Sequence, residues 1–478
     1  MEKLFFVKQG SEPLYIRLYM SIVEDIQNGV LLSDEKMPSI RQLSKGMNIS
    51  RTTVESTYSQ LVAEGYLYAK PQKGYYVMQL DIQSELSDNS NDSLHEYDMN
   101  RKIGDDHAKG KLKVYDFVSE YVEPVNFDMS IWKKNINKAI SAEEFELFSF
   151  SNPFGEYILK EEIAKYFTRV RGISANSCQI IIGAGAQSLL RSLSIYLKDI
   201  GFNDLCIDNP GFNLAKDVFK GNGYYLHPID LKDNVLDVSL LPNKSAQVLF
   251  TSPSYQFPYG EIMTMRTRYE LLNWASKTGS YIIEDDYNNE LRYIGKPIPS
   301  LQGMDTNDRV VYLGSFSTLL IPSIRISFMV LPMPLLNDYQ EMFKNRVQSA
   351  SKLEQLALGH MLSSGDFAKH IRKLRKAYKA KHKKLESLCD KYLSGLATYE
   401  IPPAGVSAII TLSKAAKPKD IKDVSEQLGL NISLLSDFKL DNNPKTLEKN
   451  LVLNYRGINE YDMDEAISKI KELLCRLY

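Results

Sequence analysis

Residues 34–68 read DEKMPSIRQLSKGMNISRTTVESTYSQLVAEGYLY, and their caps and apolar steps decide how the front of the chain folds. Ser39 stands before an apolar run of Ile40, Leu43 and Met47, with Gln42 three positions on, the spacing of a capping box. A tight turn around Gly46 and Asn48 follows. Ser50 then caps a second helix whose inner stripe is Val54, Tyr58, Leu61 and Val62. Two short helices joined by a tight turn predict a helix-turn-helix. Upstream, Leu14, Leu18, Ile22 and Ile26 recur at four-residue steps, an amphipathic helix closed by Gly29. Downstream, YLYAKPQKGYYVM has two strand-like runs around Pro71–Gly74, a hairpin wing.

Charge assigns this module a partner. Residues 1–80 carry nine basic and eight acidic side chains, yet 36–53 hold Lys36, Arg41, Lys45 and Arg51 and no acid. Ser50, Arg51, Thr52 and Thr53 form the first turn of the second helix, where a recognition helix offers side chains and free N–H groups to DNA. Lys36, Ser39 and Arg41, with Lys73 and Gly74 at the wing tip, complete the expected DNA-binding set. The motifs P-S-x-R, S-R-x-T-V and L-x-x-E-G-Y fall in register, and residues 11–77 resemble a GntR-type winged helix.

At 478 residues the chain is long enough for two or three domains. A hydrophobic content of 44% and a charged content of 24% are those of a globular protein. With a net charge of −1 no global field draws it to nucleic acid or membrane, so any basic surface is local. Cys178, Cys206, Cys389 and Cys475 are scattered, which indicates neither a zinc site nor a disulfide framework. No apolar run approaches the roughly 20 residues of a membrane helix, and the expectation is a cytoplasmic protein with no membrane partner. Residues 81–113 are poor in large apolar side chains and rich in Asp, Asn, Ser and Gly, a flexible tether between a 1–80 domain and a 114–478 domain.

From residue 114 short apolar strands (CQIIIG, DLCID, AQVLFTSP, YIIEDDY, VVYLGSF and RISFMVLP) alternate with helical stretches. That alternation predicts an α/β domain with a parallel or mixed sheet. Its strands end in residues able to do chemistry, which is where ligands gather on such sheets. Gly183, Gly185 and the N–H groups of Ala186 and Gln187 suit a phosphate at a helix start. Ser315, Ser317 and Arg325 suit a phosphate clamp, and Asp285 and Asp286 suit a metal or a helix cap. Arg456 suits a carboxylate or a structural ion pair.

In order, SNPFGEYILKEEIAKYF, IIIGAGAQ, DNPGF, TSPSYQFPYG, IIEDDY, GSFS, PSIRISFMVLP and LNYRG resemble a fold-type I aminotransferase domain, which binds pyridoxal phosphate. Joined to the winged helix, the chain resembles the MocR/GabR regulators. The resemblance implies that Asp285 pairs with the pyridinium nitrogen, Tyr287 bonds the ring 3-oxygen and Phe212 stacks on the ring. It implies that Gly185, Ala186, Gln187, Ser315, Ser317 and Arg325 bind the phosphate, and that Arg456 takes the effector's carboxylate. It further implies a homodimer built on the large domain.

The departures are as informative. The Schiff-base lysine falls at Thr318, at the strand's end, and a hydroxyl cannot form an imine. Ala186, Leu214 and Ser323 also depart from the pattern, while Lys296 and Lys344 lie at the wrong offsets to substitute. The expectation is a regulator that binds promoter DNA and senses a small-molecule effector without transamination, any pyridoxal phosphate being non-covalent. Two alternatives stand beside it. One is an active pyridoxal-phosphate-dependent aminotransferase. The other is a cleft for an amino acid, a preformed pyridoxal adduct or another anion.

Overall fold

The computed structural model describes residues 14–27, 30–63, 66–70, 73–78, 113–287, 289–292, 299–440 and 447–478. It divides into two units, Met1–Ile103 and Gly104–Tyr478. Gly29, Lys296 and the expected tether, apart from Lys113, lie outside the described residues.

In the first unit α1 (Leu14–Gln27), α2 (Ile40–Met47) and α3 (Arg51–Ala63) precede a hairpin of β1 (Leu67–Lys70) and β2 (Gly74–Val77). The capping box at Ser39 and Gln42 is present, and Asn48 ends α2 in the left-handed region at φ 54°. The Ser50 hydroxyl accepts the Thr53 N–H at 3.0 Å, so α3 starts where the sequence places it. Leu18, Ile22, Leu43, Val54, Tyr58 and Leu61 bury together with Leu67 and Val77 of the wing. An edge bridge from Lys36 to Tyr76 ties the α1–α2 connection to the hairpin.

The second unit is built on eight strands. They are β3 (Ile180–Gly183), β4 (Asp204–Asn209), β5 (Tyr225–Lys232), β6 (Val235–Leu236), β7 (Val248–Thr251), β8 (Tyr281–Asp285), β9 (Val310–Ser315) and β10 (Ser327–Val330). Their order is β3-β10-β9-β8-β7-β4-β5-β6. Pairing is parallel from β9 through β8, β7 and β4 to β5, while β10 runs antiparallel to both β3 and β9, a mixed sheet. Every residue of β3, β7, β8 and β10 is buried, as expected for strands covered on both faces. The alternation of helices and strands did not anticipate a second, antiparallel sheet of Ala397–Glu400, Ser407–Ala416, Glu448–Asn454 and Ser433–Leu434.

One local expectation is corrected. β9 ends at Ser315, so Thr318 lies beyond the strand in a tight turn. The Phe316 carbonyl accepts the N–H groups of both Leu319 and Leu320, which curls the chain before Thr318 could continue the ladder.

Candidate functional site

On the first unit Lys36, Ser39, Arg41, Ser50, Arg51, Thr52, Lys73 and Gly74 are exposed, and Thr53 is half-buried. The Ser50 hydroxyl lies 2.8 Å from both the Thr52 and Thr53 hydroxyls, which fixes the first turn of α3. The Arg41, Lys45 and Arg51 side chains make no ion pair with another described residue, so their charge faces solvent. An exposed helix start rimmed by unpaired cations is the surface a recognition helix presents to phosphates and base edges.

On the second unit the sheet gathers the other candidates at one edge. Register aligns Ser327 with both Gly183 and Ser315, and Leu313 with Asp285, so the ends of β3, β9 and β8 lie side by side. Gly185, at φ 82°, caps the helix α4 (Ala186–Asp199). A Cβ there would lie 2.4 Å from Arg325 Nη2, so glycine lets the guanidinium close over the helix start. The Ala186 and Gln187 N–H groups, in the first turn of α4, have no intrahelical acceptor. The Ser315 hydroxyl accepts from Ser327 at 3.0 Å, leaving its own proton to donate. Ser317 donates to the Ile324 carbonyl at 2.9 Å and must rotate to serve a ligand.

Three consecutive acids at the end of β8 take three different jobs. Glu284 accepts the N–H groups of Leu301 and Gln302 at 2.8 and 2.9 Å. Asp286 holds Arg171 Nε and the Tyr312 hydroxyl, each at 2.7 Å, in a pair buried on both sides. Asp285 Oδ2 is buried without a hydrogen-bond partner among the described residues. Burial first, then the charges of Asp286, Asp208 and Glu284, push the Asp285 carboxyl up to about 8. Such a group awaits a cation or a donor. The Phe212 ring lies parallel to Tyr287, with centroids 6.3 Å apart and planes 10° apart. The Thr318 hydroxyl donates to the Tyr287 carbonyl at 3.0 Å, and the Thr318 carbonyl accepts Arg456 Nη2 at 2.7 Å.

Known families match both units. The model of bacterial regulatory proteins of the gntR family matches residues 14–77, and that of class I and II aminotransferases matches residues 122–470. The uncharacterized HTH-type transcriptional regulator YhdI of Bacillus subtilis (strain 168) is 32% identical, over 98% of this chain and 97% of its own length. The probable rhizopine catabolism regulatory protein MocR of Rhizobium meliloti is 29% identical, over 98% and 95%. The chain belongs to the MocR-type family of transcription regulators. For this MocR-type regulator the large unit's fold is that of fold-type I aminotransferases. The kynurenine aminotransferase of Pyrococcus horikoshii superposes with a TM-score of 0.68 at 22% identity, covering 76% of this chain and 91% of that one.

Beside these candidate residues of the MocR-type regulator stand others that the sequence did not single out. Gln256 Nε2 donates to Asp208 Oδ2 at 2.5 Å, and burial pushes the Asp208 carboxyl up to about 7. Tyr255 stands edge-on to Tyr287 at 5.8 Å, and its hydroxyl lies 2.5 Å from Ser407. Asp208 and Tyr255 lie within DNPGF and TSPSYQFPYG, so their motifs were visible although their roles were not. Arg171 and Glu120 carried no such signal. For Arg456 the sequence left a ligand's carboxylate and a structural ion pair open, and its Nη1 meets Glu120 Oε2 at 2.9 Å. Among the described residues no group of three or more His, Cys, Asp or Glu is gathered as a metal site, and no helix is long and apolar enough to cross a membrane.

Proposed function

We propose that the aminotransferase-like domain of this regulator senses a small molecule with a pyridoxal-phosphate-type ring and holds it by reversible contacts alone. The observation that carries this reading is the buried Asp285 oxygen, without a hydrogen-bond partner among the described residues, at the sheet edge that also bears the Gly185–Arg325 cradle. A protonated ring nitrogen satisfies that carboxylate as water-exposed acids never need to be. Asp285 takes the ring nitrogen, Tyr287 the 3-oxygen and Phe212 one ring face. The phosphate lies on the N–H groups of Ala186 and Gln187 beside Gly185, with Ser315, Ser317 and Arg325. When bound, such a group supplies an electron-withdrawing ring and a reactive carbonyl.

Thr318 stands where the resemblance calls for the lysine. Its hydroxyl, spent on Tyr287, offers no amine, so the ligand is neither tethered nor driven through amino transfer. The domain therefore serves the winged helix as a sensor and not as an enzyme. We assign residues 1–80 to the DNA-binding domain, 81–113 to a tether and 114–478 to the sensor, acting as a homodimer in the cytoplasm. Absorbance titration with pyridoxal phosphate, followed by borohydride treatment and peptide mass analysis, tests the reading. Saturable binding with complete removal on dialysis and no modified lysine supports it. A lysine fixed by borohydride, or turnover of an amino donor, would overturn it.

A further inference from the structure

Arg456 follows the strand Glu448–Asn454 and is 1% exposed, yet the carboxylate it holds belongs to a residue that is 62% exposed. Nη1 meets Glu120 at 2.9 Å, Nη2 meets the Thr318 carbonyl at 2.7 Å, and Nε has no partner among the described residues. The guanidinium is fixed and dry on one side, while the anion reaches it from the wet side.

The chain around Glu120 is pinned against the chain around Arg456 on both flanks. Before it, the Asn454 N–H donates to the Phe117 carbonyl at 2.7 Å. After it, Tyr121 packs on Gly457 so closely that a Cβ there would lie 3.3 Å from Tyr121 Cβ. Beyond that, the buried Lys381 ammonium donates to Glu123 and to the carbonyls of Arg456 and Ile458, the latter two at 2.9 and 2.7 Å. Glu120 is thus positioned opposite Arg456 by its neighbours, while most of its own side chain is exposed to water.

We propose that Glu120 is a tethered carboxylate seated where a ligand's carboxylate would meet Arg456, so that the cleft selects pyridoxal-type ligands lacking a free carboxylate there. This rests on the reading of the cleft as a pyridoxal-type site. Glu120 stands two links from Tyr287: its partner Arg456 donates to the Thr318 carbonyl, and the Thr318 hydroxyl donates to the Tyr287 carbonyl. A tethered group competes at an effective concentration of about millimolar or more, whatever the solution holds. A ligand carboxylate must displace it, and then meets Glu120 as a like charge at the cleft mouth. A ligand ending in an amine or an aldehyde meets no such competitor.

The test uses the full chain and two probes, pyridoxamine 5'-phosphate, which has no carboxylate, and N-(5'-phosphopyridoxyl)-L-leucine, which has one. Titration calorimetry on the wild type should give tighter binding of pyridoxamine phosphate, by about tenfold. In Glu120→Gln the leucine adduct should gain about tenfold or more while pyridoxamine phosphate changes by less than about twofold. Glu120→Ser should repeat the reversal, and Glu120→Gln combined with Arg456→Gln should abolish it. A purely structural ion pair predicts instead that both probes weaken together, because removing one partner leaves a buried charge uncompensated. That result, or an unchanged preference in both Glu120 variants, overturns the proposal. If neither probe binds the wild type or the variants, the pyridoxal reading of the cleft itself fails.

Discussion

Replacing Asp285 by asparagine should separate stability from ligand binding. The carboxyl is buried, with one oxygen unpartnered among the described residues, and it is raised from the usual aspartate value of 3.8 to about 8. The unfolded chain ionises Asp285 above about pH 4. The folded, ligand-free chain keeps it protonated to about pH 8. Stability is therefore lost as pH climbs through that window and levels off above it. At about 1.36 kcal/mol per pH step, the ceiling is about 6 kcal/mol. Relaxation and water entry around buried charges reduce such costs, so we expect about 2 kcal/mol. Without ligand, Asp285→Asn should melt higher than wild type at pH 8.5, with the gap narrowing towards pH 5. The same variant should bind pyridoxal phosphate at least tenfold more weakly, because a neutral amide cannot pair with a protonated ring nitrogen. Calorimetric melts across pH and absorbance titration measure the two effects. A pH-independent gap would mean that Asp285 is not the raised acid, and undiminished pyridoxal phosphate binding would mean that it does not hold the ring nitrogen.

Arg51→Ala and Arg41→Ala should each weaken operator binding by about 1–3 kcal/mol if the side chain reads a base edge, with little change in melting temperature. Retention assays at several salt concentrations check this, and an unaltered affinity in both variants would move the interface elsewhere. Thr318→Lys should allow borohydride to fix pyridoxal phosphate to residue 318, as peptide mass analysis would detect. If the variant binds the ligand but cannot be fixed at 318, the turn does not aim that position at the carbonyl. Sedimentation at micromolar concentration should give a dimer, and a dissociated monomer there would remove the homodimer.

The helix-turn-helix was legible because caps, turn residues and apolar spacing are local. Ser39, Asn48 and Ser50 each act within a few residues of their position in the chain. Six of the eight strands of the large sheet were legible for the same reason, since short apolar runs between polar ends need no distant partner to be recognised, whereas the mostly exposed Tyr225–Lys232 and the two-residue Val235–Leu236 show no such run. The division of labour among Glu284, Asp285 and Asp286 was not. It depends on what faces each acid across the fold: the start of a short helix for Glu284, no hydrogen-bond donor among the described residues for Asp285 Oδ2, and Arg171 for Asp286. The Glu120–Arg456 pair spans 336 positions, and nothing near Glu120 in the chain marks it. The second sheet was missed because its strands come from separated segments whose pairing only the fold reveals.

A reversible ligand in the aminotransferase-like domain should alter the grip of the winged helix on DNA. The most direct measurement is fluorescence anisotropy of labelled DNA from upstream of the chain's own gene, titrated with full-length protein with and without saturating pyridoxal phosphate. Operator affinity should change by about fivefold or more, with the reciprocal change in pyridoxal phosphate affinity when DNA is present. The Asp285→Asn chain should bind the same DNA and fail to respond. Identical DNA affinity with and without the ligand, in a protein shown to be saturated by it, would mean that the large domain does not govern the winged helix through this ligand.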